Sequence, residues 1–176
     1  MNGAVRPWSL VAVPVVAALL ALAAARFWGH DALPYLVDYS ESSYRRFWPD
    51  RFPLLLHIAG GTIATFAGPL QLWTGLRGLI PRVHRWIGYA YIAGVVLAAA
   101  ASFYLAFHAR PDFGFSLFIL AVFWILSVAM ALLAVRNDRI LAHREWMIRS
   151  YILTFAFVSY RYLVGVSVLK FLGTSR

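Results

Sequence analysis

The chain has 176 residues, 62% of them hydrophobic, and a net charge of +9 from 16 Lys and Arg against 7 Asp and Glu. An ordinary soluble domain is about 45–50% apolar, so the composition excludes a soluble enzyme domain and a disordered basic tail. The lack of cysteine excludes a disulfide scaffold and thiolate chemistry. A basic chain often binds nucleic acid. Here the charges lie in short clusters between long apolar runs, which indicates an integral membrane protein with no nucleic-acid partner.

A membrane-spanning helix needs about 20 mainly apolar residues, and five segments meet this requirement. They are 8–27, 53–73, 86–107, 113–135 and 146–169. We therefore predict an all-α membrane bundle with a four-helix core over 53–169 and an N-terminal span within 1–27. An aromatic segment over 28–52 and a C-terminal tail over 170–176 complete the chain. No connection is long enough for a soluble catalytic domain, so any chemistry is expected inside the bundle or at its rims.

The N-terminal span has two interpretations. Arg6 before the apolar run, and the small residues from Ala23 to Ala25, are features of a cleaved secretory signal peptide. Retention as an uncleaved signal anchor is the interpretation that we favour. It adds a fifth helix beside the four-helix core.

Arginine clusters predict the orientation. With a cytoplasmic N-terminus, two short inner loops are rich in arginine: Arg77, Arg82 and Arg85, then Arg136, Arg139, Arg144 and Arg149. Five acidic residues dilute the cations of the outer side: Asp31, Asp38, Glu41, Asp50 and Asp112. Because Lys and Arg in short loops stay in the cytoplasm, we predict a cytoplasmic N-terminus and an outer C-terminus.

Segment 28–52 is rich in aromatic residues: Trp28, Tyr35, Tyr39, Tyr44, Phe47 and Trp48. Amphipathic rings prefer the headgroup level of a bilayer. We therefore predict an interfacial segment on the outer side. The alternative is a lid over a ligand.

The histidines separate by side. His84 and His143 lie where the third and fifth spans begin on the inner side, and His57 and His108 lie toward the outer side. Two neutral imidazoles on facing helices are the arrangement that binds a b-type haem axially. The neighbouring arginines are then candidates to pair with haem propionates: Arg82, Arg85, Arg144 and Arg149. The alternative is that both histidines are interfacial anchors.

Helical spacing predicts which faces point inward. From His84, steps of three and four residues reach Gly88, Tyr91, Val95, Ala98 and Ser102; from His143 they reach Met147, Ser150, Thr154, Phe157 and Arg161. Small and polar residues of this kind occur at helix contacts rather than on a lipid face. We therefore expect both stripes to face the bundle interior.

His57 begins a similar stripe on the second span, with Gly61, Ala64, Gly68 and Gln71. Two interpretations of this histidine remain open: a cofactor contact, or a hydrogen bond to a backbone carbonyl. His57 lies near the opposite rim from His84 and His143, so the three cannot share a catalytic zinc ion. The H-E-x-x-H pattern is also missing, and a membrane hydrolase is therefore disfavoured.

Arg161 lies about 22 Å beyond Trp146 at helical rise, which predicts a position in the outer leaflet. Snorkelling to the surface is the ordinary explanation for such a cation. The alternatives are pairing with an acid of segment 28–52, a lipid phosphate, a quinone oxygen or a haem propionate.

Two runs of residues resemble a known family. They read His57-x2-Gly60 … Gly68-Pro69-x-Gln71 … Arg77 … His84-Arg85-x2-Gly88-x2-Tyr91, and His143-Arg144-x-Trp146-Met147-Ile148-Arg149-Ser150-Tyr151 followed by Thr154 and Arg161. The pattern is similar to a bacterial family of predicted membrane proteins, domain of unknown function 2306, over roughly residues 53–165. The resemblance implies a multi-pass protein of the bacterial inner membrane and no activity. It marks five positions to test: His57, His84, His143, Arg149 and Arg161.

A more distant resemblance carries chemistry. The run from His84 to Gly88 reads His-x-Trp-x-Gly, which resembles a core helix of the ascorbate-dependent, di-haem b-type transmembrane cytochromes. This resemblance implies one haem between His84 and His143. A second haem would need His57 and a histidine on span 113–135, which has none, so that only His108 is available.

Two functional hypotheses follow. The first is a haem b membrane cytochrome that exchanges electrons with a quinone, with His84, His143, His57 and His108 as candidate ligands. The second is a non-catalytic accessory or assembly subunit of a larger membrane complex, as a homo- or hetero-oligomer. A small transporter ranks third, because membrane carboxylates for proton coupling are missing from spans 53–135. If the chain is an enzyme, we expect an oxidoreductase or electron carrier.

Overall fold

The computed structural model describes residues 21–77 and 81–165. Within these ranges every regular element is a helix, as the composition predicts. Four long helices follow one another: α1, Arg51–Arg77; α2, Pro81–His108; α3, Pro111–Arg136; and α4, Ile140–Gly165. The consecutive helices pack side by side, and α4 also contacts α1. The four helices therefore pack as one bundle, and each begins before the apolar run that predicted it.

The ends of the helices follow from local residue chemistry. Pro81 and Pro111 open α2 and α3, where a missing backbone N–H costs nothing because first-turn donors have no intrahelical acceptor. Asn137 ends α3 with its N–H on the carbonyls of Leu133 and Ala134. Asp138 then takes a left-handed conformation with φ of 57°, which Asp tolerates better than bulkier residues. This short connection makes α3 and α4 antiparallel neighbours.

Several helices have the length and composition to cross a membrane. By these two criteria, the described residues contain three such helical runs: Glu41–Gly75, Pro81–His108 and Phe113–Arg136. The first joins two short turns to most of α1. Large apolar side chains, such as those of Trp86, Phe107 and Phe115, are exposed around the bundle, where lipid would cover them. The chain is therefore a multi-pass membrane protein in contact with the bilayer. Most of the predicted N-terminal span lies outside the described residues, and 21–27 is helical.

Small residues bring the helices close together. A Cβ on Gly60 would lie 2.5 Å from the carbonyl oxygen of Gly94, so the backbones of α1 and α2 touch at this point. Ala64, Ala98 and Ala121 are also fully buried. Close backbone approach of this kind is how membrane helices gain van der Waals contact without a hydrophobic driving force.

The two predicted inward stripes are confirmed where the structure describes them. Every residue of the first is buried, namely Gly88, Tyr91, Val95, Ala98 and Ser102. The second is buried at Met147, Ser150 and Thr154, whereas the side chains of its last members, Phe157 and Arg161, lie outside the described part.

A buried polar cluster joins three helices at the centre of the bundle. The Tyr91 hydroxyl of α2 lies 2.8 Å from Ser150 Oγ and 3.2 Å from Thr154 Oγ1, both on α4. Trp124 Nε1 of α3 donates to Thr154 Oγ1 across 3.2 Å. Interhelical hydrogen bonds in membranes contribute about 0.6 kcal/mol on average. The cluster therefore contributes little to stability, and its main effect is to fix the register of the three helices.

Pro69 lies inside α1 and removes the N–H that would bond the carbonyl of Thr65. Tyr151 of α4 replaces that donor, because its hydroxyl donates to Thr65 O across 3.3 Å. Gly68 makes room, since a Cβ there would overlap the Tyr151 ring. The Gly68-Pro69 pair thus forms a docking point for α4 on α1.

Segment 28–50 is a packed run of short helical turns rather than a loop. The turns are Trp28–Ala32, Leu33–Val37, Glu41–Tyr44 and Arg45–Asp50. Tyr44 is fully buried, with its ring against Tyr35, Tyr39 and Trp48 and its hydroxyl on Tyr35 O at 2.8 Å. Hydrogen bonds from Ser43 and Ser40 lower the pKa of the Asp38 carboxyl. These contacts around Tyr44 give the segment a defined conformation next to the start of α1.

Candidate functional site

His84 and His143 line the same cavity, of about 480 Å³. The cavity lies where α1 ends and where α2 and α4 begin. We call it the His84 cavity; its polar lining residues are Gln71, Thr74, His84, Arg85, His143 and Arg144. Counting helices predicted that His84 and His143 lie at the same end of the bundle, and the structure places them there. Both residues are half-buried.

His84 is held at both ring nitrogens by α1. Its Nδ1 lies 2.9 Å from Thr74 Oγ1, and its Nε2 lies 3.0 Å from the side-chain nitrogen of Gln71. The Thr74 hydroxyl also lies 2.8 Å from the carbonyl oxygen of Leu70. The ring of His84 is therefore oriented at both edges by side chains of α1.

Two glycines make room for this arrangement. A Cβ on Gly75 would lie 2.9 Å from Cε1 of His84, and a Cβ on Gly88 would lie 2.8 Å from Nε2 of Gln71. Any larger residue at either position would displace the ring or the amide. Gln71 and Gly88 belonged to the sequence motifs, but nothing in the pattern assigned a role to Gln71, Thr74 or Gly75.

His143 is held at one nitrogen only. Its Nδ1 lies 2.9 Å from the carbonyl oxygen of Ala131. A carbonyl only accepts, so Nδ1 carries the proton and Nε2 carries a lone pair. No described residue hydrogen-bonds that Nε2. Histidines that bind metals are commonly fixed in this way, with the second N–H donated to a backbone carbonyl.

The arginines divide between cavity and surface. Arg85 and Arg144 line the His84 cavity, and Arg144 Nη2 approaches Gly75 O at 3.5 Å. Arg149 is not among the residues that line it. Five helical residues turn the chain about 140° past Arg144, so Arg149 instead pairs with Glu145 at 3.3 Å and covers the Trp146 ring. Arg161 belongs to α4, but its side chain lies outside the described part.

One buried polar atom of the cavity has no partner. Oε1 of Gln71 is buried, and no described residue donates a hydrogen bond to it, although the residue itself is only 6% exposed. Gln71 therefore has hydrogen-bonding capacity in this cavity that the described residues do not use.

His57 and His108 line a second, smaller cavity of about 170 Å³. We call it the His57 cavity; it lies at the opposite end of the bundle and shares no lining residue with the first. His57 Nδ1 bonds Ser102 Oγ at 2.9 Å and the carbonyl of Ala98 at 3.2 Å, so the carbonyl hydrogen bond is present. His108 Nδ1 donates to Tyr104 O across 2.9 Å.

The two cavities divide the histidines between the ends of the bundle. His57 lies in one cavity and His84 with His143 in the other. Over residues 21–77 and 81–165, no three His, Asp or Glu side chains are grouped so as to hold a metal ion. Within these ranges, the His84 cavity presents two imidazoles to a ligand, those of His84 and His143.

Comparison with known proteins identifies a family. The family model described as "Predicted membrane protein (DUF2306)" matches residues 54–176. The comparison with curated proteins gave no match, and neither did the comparison with solved structures. The matched range includes all of α2, α3 and α4 and nearly all of α1.

Proposed function

The chain belongs to the DUF2306 family of predicted membrane proteins, and from that premise we propose that it binds one b-type haem in the His84 cavity and carries electrons in the membrane. The observation that supports this most is the convergence of two imidazoles and two guanidinium groups on one cavity. Bis-histidine ligation inside a helical bundle is a common way to hold haem b.

The donor chemistry of the cavity fits the group. His143 has its proton fixed on Nδ1 by Ala131 O, which leaves the Nε2 lone pair for iron. His84 would take the same tautomer, with Thr74 Oγ1 as the acceptor of its Nδ1 proton. The Gln71 amide, 3.0 Å from Nε2 of His84, would have to move aside.

The charges and the size also fit. Arg85 and Arg144 are the lining cations that would pair with the two propionates. A cavity of about 480 Å³ lies within the range of about 300–1,000 Å³ that is typical for cofactor sites. The His57 cavity, at about 170 Å³, is below that range, and we therefore propose one haem rather than two.

A bound haem would supply one-electron oxidation and reduction. The chain's own residues would hold the ring, neutralise its acids and exclude water with the apolar faces of Met147 and Ile148, which line the same cavity. As electron partner we propose a lipid-soluble quinone. The His84 cavity lies at one end of a membrane bundle, where a molecule dissolved in the bilayer can approach it.

Optical absorption tests the proposal. The full chain is expressed with a haem supply, purified in mild detergent, and measured oxidised and after dithionite. We expect a Soret band and a reduced alpha band, both lost in His143→Ala and His84→Ala. His108→Ala is the matched control, because it removes an imidazole from the other cavity and should leave the spectrum unchanged. No Soret band in haem-replete wild-type protein overturns the proposal and favours the accessory-subunit alternative.

We also propose five spans, with the N-terminus and the α3–α4 connection in the cytoplasm of a bacterial inner membrane. The chain contains no cysteine, so single cysteines report their side directly. Gly29→Cys should react with a membrane-impermeant maleimide on intact cells. Asn137→Cys, in the α3–α4 connection, should react only after permeabilisation. The opposite pattern reverses the orientation, and labelling of both on intact cells contradicts the span count.

A further inference from the structure

The His57 cavity combines acidic side chains with aromatic rings. Two carboxylates line it, those of Asp31 and Asp50, together with the two imidazoles. Most of the remaining lining is apolar: Phe27, Phe47, Leu54, Ile58, Leu105 and Phe113. Its residues come from the N-terminal segment, the start of α1, the end of α2 and the start of α3. Neither Lys nor Arg is among the lining residues.

The two imidazoles of this cavity are hydrogen-bonded to their own bundle. His57 and His108 each place Nδ1 on a backbone carbonyl, that of Ala98 and that of Tyr104. His57 Nδ1 also lies 2.9 Å from Ser102 Oγ. The two carboxylates of the cavity, when ionised, only accept hydrogen bonds, so they favour a ligand that donates them.

The nearby arginines do not neutralise the acids. Arg51 lies over the ring of Trp48 and bonds Trp48 O, and Arg46 lies over the ring of Phe47 at 4.7 Å. Within the described residues Asp50 makes no ion pair, although it precedes Arg51 in the chain. Asp31 has one such contact, 3.7 Å from the exposed imidazole of His30. Arg46 and Arg51 therefore pair with aromatic rings rather than with Asp50.

We propose that the His57 cavity binds an organic ammonium group. Carboxylates and aromatic faces together attract such cations through charge-assisted hydrogen bonds and cation–π contacts. At about 170 Å³ the cavity holds a small head group rather than a drug-sized molecule. Two sources share this chemistry: a free amine and the head group of an amine-bearing phospholipid. The site is independent of haem at the other end of the bundle.

Calorimetric titration tests the proposal on the full chain in detergent. The probes are ethanolamine hydrochloride and tetramethylammonium chloride, with sodium acetate as the anionic control. We expect saturable binding of one ammonium per chain and none of acetate. In Asp50→Asn and Asp31→Asn the Kd should rise about tenfold or more, because a charged partner is lost. Asp138→Asn is the matched control, since Asp138 is exposed in the α3–α4 connection.

A second set of measurements separates binding from folding and identifies the source. Asp50→Asn could weaken binding by destabilising the fold, which a lowered thermal midpoint would reveal. Asp50→Glu keeps the charge at this position, and we expect it to bind the ammonium probes. In nanodiscs, replacing phosphatidylglycerol by phosphatidylethanolamine should abolish ethanolamine binding if the ligand is a lipid head group, and leave it unchanged if it is a free amine. Either result supports the site. Failure of both ammonium probes to saturate the protein in phosphatidylglycerol, or an unchanged Kd in the double Asp→Asn variant, overturns it.

Discussion

Gln71 and His84 are joined by a hydrogen bond of 3.0 Å between the side-chain nitrogen of one and Nε2 of the other. Thr74 Oγ1, one turn further along α1, lies 2.9 Å from the opposite ring nitrogen. One helix therefore fixes both edges of an imidazole that belongs to the next helix. A ligand that uses Nε2 of His84 has to displace Gln71 alone, while Thr74 continues to orient the ring.

The Thr74 hydroxyl should matter for haem binding without being a ligand. In Thr74→Val Nδ1 of His84 loses its hydrogen-bond partner, and we expect haem affinity to fall about tenfold or more, the usual effect of losing such a supporting partner. Thr74→Ser keeps the hydroxyl and should restore wild-type affinity. Haem titration followed at the Soret band measures both. Equal affinities of the valine variant and the wild type would contradict this role.

Two adjacent glycines should respond in opposite directions to the same change. Gly60→Ala places a Cβ 2.5 Å from the Gly94 carbonyl, where backbone must shift, and should lower the free energy of unfolding by about 1–3 kcal/mol. Gly61→Ala meets nothing within 4 Å and should leave stability unchanged or raise it by up to about 1 kcal/mol. Unfolding in detergent followed by circular dichroism distinguishes them. Equal destabilisation of both variants would contradict the close α1–α2 contact.

The bond from Tyr151 to Thr65 O should depend on Pro69. Tyr151→Phe leaves that carbonyl without a donor, and should cost about 0.5–1.5 kcal/mol of unfolding free energy. In a Pro69→Ala background the helix supplies its own N–H, so the same change should cost less. A double-mutant cycle measures the difference. Additive effects of the two substitutions would show that Tyr151 does not compensate for the proline.

The two arginines that follow His143 should differ in their effect on a bound haem. Arg144 lines the His84 cavity, so Arg144→Gln removes a positive charge that favours the reduced form, and should lower the midpoint potential. Arg149→Gln breaks an exposed pair with Glu145 and should leave the potential unchanged, with at most about 1 kcal/mol lost from stability. Potentiometric titration followed at the alpha band decides. A shift only in the Arg149 variant would reverse the assignment.

The sequence predicted the features that depend on helical periodicity. Spacing of three and four residues placed Tyr91 and Ser102 on one buried face, and Ser150 and Thr154 on another. Counting spans placed His84 beside His143 and apart from His57, because each crossing exchanges one end of the bundle for the other. These inferences need only the pitch of a helix and the thickness of a bilayer.

Segment 28–50 shows where such reasoning stops. Its aromatic residues predicted an interfacial position, but the burial of Tyr44 among Tyr35, Tyr39 and Trp48 depends on turns that have no apolar repeat. Arg149 is a second example. It lies near His143 in sequence, but a rotation of about 140° from Arg144 directs it toward Glu145 and away from the lining of the His84 cavity.

By itself the sequence determined that this chain is an all-helical membrane protein with its histidines divided between two ends. Only the tertiary structure decided what each histidine contacts, that Gln71 and Thr74 hold His84, and that Asp31 and Asp50 share a cavity with His57. Periodicity is a property of one helix and can be read along the chain. Contacts between helices depend on their separation and rotation, which are set by glycines such as Gly60 and Gly75 acting on residues distant in sequence.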